Sequence, residues 1–312
     1  MRNSVVLPVI LFAASFLFAP SVSAQYKLDY GIRAGSANYL GEMGGDELPG
    51  RDFIWDMKLD MSRPLFGAFM RYRINHSVAF NCGLTYARIQ GADYLSSNPA
   101  RRARNLSFRN DFGEVYGRFE YYFFDEKDVG NHGRYIVDFQ AFLFGGVAAI
   151  VHAPKTYYNG EWVNLRPLMT EGDKYTLVSA GAPVGLGFFF THKRRHRFGW
   201  ELSWTPTLTD YLDDVSTVYV DGLSGTAAAV ANRNPEYQGP GPNPANYGYH
   251  ANNVDAEGNS LTMRGDPSDN DTYMFTSLSY SYVVKGANRF YSRNYGWLGY
   301  RKRGVRRVRA KF

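Results

Sequence analysis

Charged side chains alternate with apolar ones in the first mature segment and in several segments that follow it. Within residues 26–36, Asp29 and Arg33 occupy one parity, whereas Tyr30 and Ile32 occupy the other. Successive strand side chains point to opposite faces, so such segments have one apolar face and one charged face. Charges of both signs on one face could form an ion path or neutralise one another. Nine residues share the charged parity: Asp29, Arg33, Arg71, Arg73, Glu114, Arg118, Glu120, Asp138 and Glu201.

Other residue types suggest catalysis or metal binding only weakly. His152 and Asp173 lie near a predicted loop rim, where a hydrolase could use them, but no spacing resembles a nucleophile elbow or a zinc site. Residues 266–271 contain three aspartates, yet they lack the glycine and terminal carboxylate of a calcium loop. Arg264-Gly265-Asp266 spells an adhesion tripeptide that arises often by chance. We therefore predict no catalytic residue, no metal and no cofactor.

The strongest charge asymmetry lies at the C-terminal end. Residues 285–312 contain ten lysines and arginines and no acid, whereas residues 209–271 contain ten acids and two arginines. Tyrosines and a tryptophan interleave with these cations, and arginine with aromatics favours a protein interface. An exported tail rarely meets nucleic acid, so acidic protein, anionic lipid, peptidoglycan or simple solvation remain as alternatives. The predicted partner-binding residues are Arg289, Arg293, Trp297, Arg301, Lys302, Arg303, Arg306, Arg307 and Arg309.

The N-terminal segment predicts export. Residues 1–24 combine an early arginine, an apolar stretch and a small-residue ending, as in a secretory signal peptide. Cys82 is the single cysteine, so no internal disulfide framework can form. No later stretch approaches the ~18 apolar residues of a spanning helix. The mean hydropathy of −0.36 is compatible with a transmembrane barrel, whose signal is alternation.

Eight segments alternate in the manner of strands that cross a bilayer. They predict an all-β fold, an eight-stranded antiparallel transmembrane β-barrel occupying residues 25–284. Short connections alternate with long ones, as do periplasmic turns and external loops. A secreted lipocalin-like barrel, with the apolar parity inside, is the alternative architecture. The predicted strands span 26–36, 66–74, 78–86, 114–123, 137–143, 178–188, 198–205 and 274–282.

The interior of an eight-stranded barrel is just wide enough for side chains to fill. The nine charged residues therefore predict a salt-bridged plug rather than an ion path. No helical period is sustained in the mature chain. The loop 209–271 is rich in Gly, Pro, Asn and Ala, which predicts that it lacks stable structure of its own or orders only against a partner.

The first strand leads directly into Asn38-Tyr39-Leu40-Gly41-Glu42. A strand followed by this NYLGE pattern resembles the PorG-like outer-membrane barrels of the type IX secretion system. The signal peptide, short barrel, long loops and basic end also resemble that family. The resemblance implies an outer-membrane component of this export machine that contacts a periplasmic ring built by a lipoprotein and its partner, and it implies no catalytic residues. A long tail after Val284 departs from barrels that end at their last strand.

Together these features predict a structural component of a secretion machine in the outer membrane. It would be surrounded by outer-membrane lipid, with both termini periplasmic, and would position the ring through its short turns and its tail, residues 285–312. The alternative is a surface adhesion barrel that acts through the external loop 209–271. A rim hydrolase using His152 and Asp173 is a third hypothesis.

Overall fold

A computed structural model describes most of the predicted barrel. The described residues are 28–41, 43, 59–96, 99–126, 129, 137–193, 195–220, 222–237, 264–265, 267 and 270–284. The predicted signal peptide, residues 1–24, and the predicted tail, residues 285–312, lie outside them.

The described chain is an all-β structure built on one closed sheet. Eight long strands follow one another around the barrel in the order β1-β2-β3-β4-β5-β9-β10-β11, and β11 pairs with β1. Every pairing is antiparallel, so the predicted eight-stranded antiparallel barrel is confirmed. The strands are β1 (Leu28–Leu40), β2 (Arg63–Arg73), β3 (Val78–Ala92), β4 (Ser107–Glu126), β5 (Val137–Val151), β6 (Pro154–Tyr158), β7 (Glu161–Asn164), β8 (Val178–Gly181), β9 (Val184–His192), β10 (His196–Pro206) and β11 (Thr272–Val284).

The wall of the barrel has two chemically different faces. On β1, Tyr30 and Ile32 are exposed on the outside, whereas Asp29 and Arg33 are buried inside. The same alternation continues around the sheet, because the strand pairs keep side chains of one parity on one face. The barrel is therefore apolar outside and polar inside, the reverse of a soluble protein.

At the long-loop end, the strands continue past the closed ring. β6 pairs with β4 in the same register as β5, after a break at His152 and Ala153. β7 folds back on β6 as a hairpin. The sheet β3-β4-β6-β7 thus extends one side of the wall. The predicted sixth strand is divided into β8 and β9, which pair with β5 in one register. The break falls at Ala182 and Pro183, because proline has no N–H to donate to the neighbouring strand.

Short helices and turns lie at the same end. The helices are α1 (Pro99–Arg104) and α2 (Gly225–Ala231), and 3₁₀ turns occupy Leu59–Met61, Asp93–Leu95, Arg166–Leu168 and Asn234–Glu236. None of the helices in the described part of the chain is long and apolar enough to span a membrane.

The loop between β10 and β11 corrects one prediction. Residues 209–220 and 222–237 are described, and they pack over the mouth of the barrel together with the loop between β5 and β8. Leu212, Val215 and Val230 are buried there, so this part of the loop does not lack stable structure. The loops and strand ends share one apolar core, called the cap here, whose buried members are Ala37, Tyr39, Met43, Leu65, Ala87, Ile89, Leu106, Phe108, Phe112, Ile150, Leu165, Leu212, Val215, Val230, Tyr273 and Phe275.

Closure of the barrel depends on a close approach of β1 to β11. A Cβ added at Gly35 would lie 2.6 Å from the Ser277 Cα and closer still to the Thr276 carbonyl oxygen. We therefore expect Gly35→Ala to destabilise the barrel by about 1–3 kcal/mol, the usual cost of forcing a packed backbone apart. The measurement is urea unfolding in detergent micelles, followed by β-sheet circular dichroism.

Gly113→Ala is the matched control, because a Cβ at Gly113 on β4 would meet nothing within 4 Å. Its effect should stay within about 0.5 kcal/mol. Equal unfolding midpoints for the two variants would show that the β1–β11 approach is not tight.

Candidate functional site in the barrel lumen and its cap

Four arginines and four carboxylates meet inside the barrel, with formal charges that cancel. Each comes from the inward parity of a strand, and seven of the eight are buried, with Arg197 half-buried. We call this set the lumen network: Asp29, Arg33, Arg71, Glu114, Arg118, Glu120, Arg197 and Glu201.

Two carboxylates at the centre are shared between arginines. Glu201 lies 2.6 Å from the Arg118 guanidinium and 3.4 Å from that of Arg71. Glu120 lies 2.6 Å from Arg71 and 3.2 Å from Arg118. Arg33 extends the network from Glu201 at 3.8 Å. No arginine at this centre depends on one acid alone, and removing Glu120 or Glu201 affects at least two cations.

Neutral partners complete the coordination of these charges. The Tyr122 hydroxyl donates to Glu120 at 2.7 Å, and the Asn81 amide donates to the same carboxylate at 2.6 Å. At the loop end, the Tyr273 hydroxyl donates to Glu114 at 2.5 Å. The Arg118 guanidinium lies 3.9 Å from the centre of the Phe144 ring. Buried ions need such additional contacts because pairing alone rarely offsets the cost of their desolvation.

Apolar side chains fill the lumen on both sides of the network. Toward the short turns, Phe142, Phe144 and Phe189 pack with Tyr122 and Ala79. Toward the long loops, the cap covers the barrel mouth. The described side chains thus occupy the lumen along its length, as the interior width of an eight-stranded barrel allows. This arrangement favours the predicted plug over the alternative of an ion path.

The nine residues chosen from the sequence do not all join the network. Seven of them are members, but Arg73 and Asp138 lie at the short-turn end. Arg73 donates to the Gln140 side chain at 3.0 Å and to the His76 carbonyl at 2.8 Å. Arg197 was missed, although it contacts Asp29 at 2.8 Å. Arg197 has the same strand parity as Glu201, which could have indicated that it faces the lumen. The predicted strand begins only at residue 198, so Arg197 falls in the preceding turn.

The cap has an ionic centre of its own. Arg264 lies 2.8 Å from Glu171 and 3.5 Å from Asp214, and all three are buried. Burial raises the pKa of the Asp214 carboxyl, although the Arg264 charge opposes that shift. The Tyr39 hydroxyl of β1 donates to Asp213 at 2.7 Å and also contacts Asp271. Several acids of the loop 209–271 are therefore internal supports rather than surface charge.

His152 and Asp173, the residues of the hydrolase hypothesis, have different surroundings. The His152 ring is buried and stacks in parallel on Tyr175 at 6.1 Å, and neither ring nitrogen has a hydrogen-bond partner among the described residues. Burial, together with the nearby Arg166 charge, lowers the pKa of His152 to about 4. Asp173 is exposed. The structure therefore does not bring this pair together.

The remaining candidates give no assembled site either. Arg264 of the adhesion tripeptide is buried in the cap, and Asp266 lies outside the described residues. Across the described ranges, no three His, Cys, Asp or Glu side chains converge so that they could hold a metal ion. The predicted partner-binding residues of the tail, Arg289 to Arg309, lie outside the part of the chain that the structure describes.

Two solved barrels illustrate the fold at low similarity. The N-terminal β-barrel domain of Pseudomonas aeruginosa OprF shares 6% identity over 82% of this chain and 97% of that one, with a TM-score of 0.33. Ail, the attachment invasion locus protein of Yersinia pestis, solved with the heparin analogue sucrose octasulfate, shares 8% identity over 83% of this chain and 99% of that one, with a TM-score of 0.30. No curated protein matches the chain.

The chain's own geometry defines its class: a closed eight-stranded antiparallel β-barrel with a charge-filled lumen and a packed cap. Residues 6–218 match the family described as a domain of unknown function (DUF6089). This match spans more than half of the 312 residues, and the chain belongs to that family.

The shared carboxylates predict a large effect of a single substitution. Glu201→Gln would leave four arginines facing three acids in the lumen, and an unbalanced buried charge costs about 3–5 kcal/mol. We expect a loss of this size in the free energy of unfolding, measured by urea denaturation in detergent.

Glu236→Gln is the matched control, since it also removes one carboxylate that is paired with an arginine, Arg233. The Glu236 side chain is 40% exposed. It should cost at most about 1 kcal/mol. Similar losses in both variants would contradict the assignment of Glu201 as a shared internal counter-ion.

Proposed function

We propose that this protein is an outer-membrane barrel that acts as a solid anchor for a periplasmic assembly. The observation that carries the proposal is the inversion of the wall, which is apolar outside and ionic inside, together with a filled lumen. An exposed apolar surface of this extent needs a nonaqueous partner. Lipid around the whole barrel is the partner that suits a closed ring of strands, because closure leaves no backbone edge unpaired.

The apolar outer surface approaches the height of the apolar band of a transmembrane barrel. On β3, the outward side chains from Val78 to Tyr86 are apolar or aromatic apart from Cys82. These eight steps measure ~27 Å along the strand and ~20 Å along the barrel axis at a tilt of ~40°. A transmembrane barrel carries an apolar band ~25 Å tall. In this protein, the exposed apolar residues of the band are Ile32, Phe66, Leu84, Val115, Phe119, Leu143, Val147, Val184, Leu186 and Leu278.

An aromatic girdle lies near the short-turn end of this band. Each of the eight barrel strands contributes at least one outward aromatic residue there, and aromatic girdles mark the membrane interfaces of barrels. Within the girdle, Phe139 contacts Phe190 at 5.0 Å, and Phe198 contacts Tyr280, a second outward ring of β11, at 5.1 Å. The girdle residues are Tyr30, Tyr72, Phe80, Tyr121, Phe139, Phe190, Phe198 and Tyr282.

A filled barrel suits anchoring better than conduction. The lumen network neutralises itself, and the cap covers one end, so the described chain offers rigidity rather than a passage. The working surface of such a protein is then one of its ends. Short turns face the periplasm in outer-membrane barrels, and long loops face outward.

The short-turn end leads into the basic tail. Leu28 and Val284, where β1 begins and β11 ends, pair with each other, and the Val283 amide donates to the Arg195 carbonyl at 2.8 Å. Lys193 and Arg195 are exposed at that end. We propose that the tail, residues 285–312, adds to the charge of these two residues and docks an acidic partner. The NYLGE resemblance supports the ring proteins of a type IX secretion machine as that partner.

Lipid contact can be tested at two positions of similar exposure. Leu278, in the apolar band, is 69% exposed, and Leu208, at the loop end, is 78% exposed. Because Cys82 is the single cysteine, Cys82→Ser provides a background for Leu278→Cys and Leu208→Cys. In intact outer membranes, a charged maleimide should label position 208 and leave position 278 unlabelled.

Denaturation in detergent should make both positions reactive, which serves as the control. Equal labelling of the two positions in membranes would overturn the transmembrane placement and favour the secreted, lipocalin-like alternative.

Partner docking can be tested by removing charge from the tail. In the variant Arg301, Lys302, Arg303, Arg306 and Arg307→Gln, the attraction to an acidic partner is weakened, so capture of periplasmic proteins in mild detergent should fall by at least about tenfold. Lysine at the four arginine positions keeps the charge and should retain most of the partner.

Unchanged capture with the Gln variant would contradict the docking role. Deleting residues 238–263 distinguishes the adhesion hypothesis from the docking role. Loss of surface binding with unchanged capture of periplasmic proteins would favour adhesion.

A further inference from the structure

The outward side chains of β3 and β4 change from apolar to charged at one height. On β3, exposed Leu84 and Tyr86 are followed by Arg88, which lies two residues or ~7 Å further along the strand. On β4, Val115 is apolar, whereas Asp111 and Arg109 lie at the far end. The register pairs Arg88 with Asp111, so the boundary is continuous across both strands.

Two arginines bind one carboxylate at this boundary, and a lysine lies beside them on the same face. Arg88 lies 2.5 Å from one oxygen of Asp111, and Arg109 lies 2.9 Å from the other. Lys155 of β6 pairs with Arg109 across the strands and lies on the same face. The side chains of Arg88 and Arg109 remain 30% and 23% exposed. Since Asp111 accepts from only some of their donors, the patch, within the described part of the chain, keeps an excess of positive charge and guanidinium N–H groups with no acceptor.

Aromatic rings flank these cations. The Arg109 guanidinium lies 4.9 Å from the centre of the Trp162 ring, and that ring meets Tyr157 edge to face at 5.4 Å. The Tyr86 hydroxyl donates to Asp111 at 3.0 Å. Tyr157, Trp162 and Tyr86 are each close to half exposed. Tyrosine and tryptophan combine an apolar body with a polar tip and suit the boundary between lipid and water.

This combination fits a phosphate group attached to a lipid. Guanidinium groups bind phosphate oxygens through paired N–H donors, and a lysine adds a point charge. The patch begins where the apolar band ends, at the long-loop side, so in a membrane it lies at the depth of the outer-leaflet headgroups. The sheet β3-β4-β6-β7 supports it from behind, because the opposite-facing Ile89, Phe108 and Thr156 are buried against the cap.

We propose that the patch formed by Tyr86, Arg88, Arg109, Lys155, Tyr157 and Trp162 binds the phosphorylated headgroup of an outer-leaflet glycolipid. This inference rests on the proposed transmembrane placement but not on the proposed partner of the tail. It gives the long-loop end a role that is separate from docking at the short-turn end: the bound lipid fixes the barrel's depth and orientation in its leaflet.

The test uses the full chain in phosphatidylcholine nanodiscs, titrated with lipid A that carries its phosphates or with enzymatically dephosphorylated lipid A. Native mass spectrometry counts the retained lipid. The intact chain should retain the phosphorylated form preferentially. The double variant Arg88→Gln/Arg109→Gln should retain it at least about tenfold less, because it removes both guanidinium groups that would pair with the phosphate oxygens.

Two further variants keep the result interpretable. Lys155→Glu breaks no ion pair among the described residues and should weaken retention without disturbing the fold. Lys193→Gln/Arg195→Gln removes the same charge as the double variant from exposed positions at the opposite end and should leave retention unchanged.

Equal retention of the two lipid A forms by the intact chain would overturn the proposal, as would undiminished binding by the double variant and by Lys155→Glu. Labelling at position 278 in the same nanodiscs separates this failure from that of the membrane placement. If position 278 is protected from labelling but the chain shows no preference for phosphorylated lipid A, only the lipid site is refuted. If position 278 is labelled, the transmembrane placement itself is refuted.

Discussion

The structure depends on the exact cancellation of charge inside a narrow barrel. Glu120 and Glu201 each contact both Arg71 and Arg118, so the centre of the lumen is a connected set rather than a row of separate pairs. Buried ions are expensive unless they are paired and hydrogen-bonded. Four acids for four arginines, with tyrosine and asparagine donors, meet that condition, and the outer face between the two ends is free to be apolar.

The filled lumen lies between two ends of the barrel that differ in their surface chemistry. The lumen network and the cap make the described barrel a filled body, and each end then presents its own chemistry. The long-loop end carries a cationic and aromatic patch just beyond the apolar band, centred on Arg88 and Arg109. The short-turn end carries exposed Lys193 and Arg195 and continues into a basic segment. One wall thus separates two ends that each carry exposed cations.

Alternation made most of the barrel predictable. Strand parity is a local property, so Asp29 and Ile32 could be assigned to opposite faces without knowledge of the fold, and the eight strands follow from repeating that pattern. The cap was not predictable in this way. Its contacts join residues far apart in the chain, as Tyr39 joins Asp213 and Asp271. A loop rich in Gly, Pro and Asn has no period, and only long-range packing decides whether it is ordered.

The sequence by itself determined the barrel class, the strand count and the charged interior, because each follows from the spacing of residue types along the strands. Only the tertiary structure decided which charges meet. It directed Arg73 to the Gln140 side chain and the His76 carbonyl, brought Arg197 to Asp29, and placed His152 away from solvent. It also gathered Arg88, Arg109 and Lys155 from three strands into one patch. Such neighbours are set by register and closure, which couple residues that no local pattern connects.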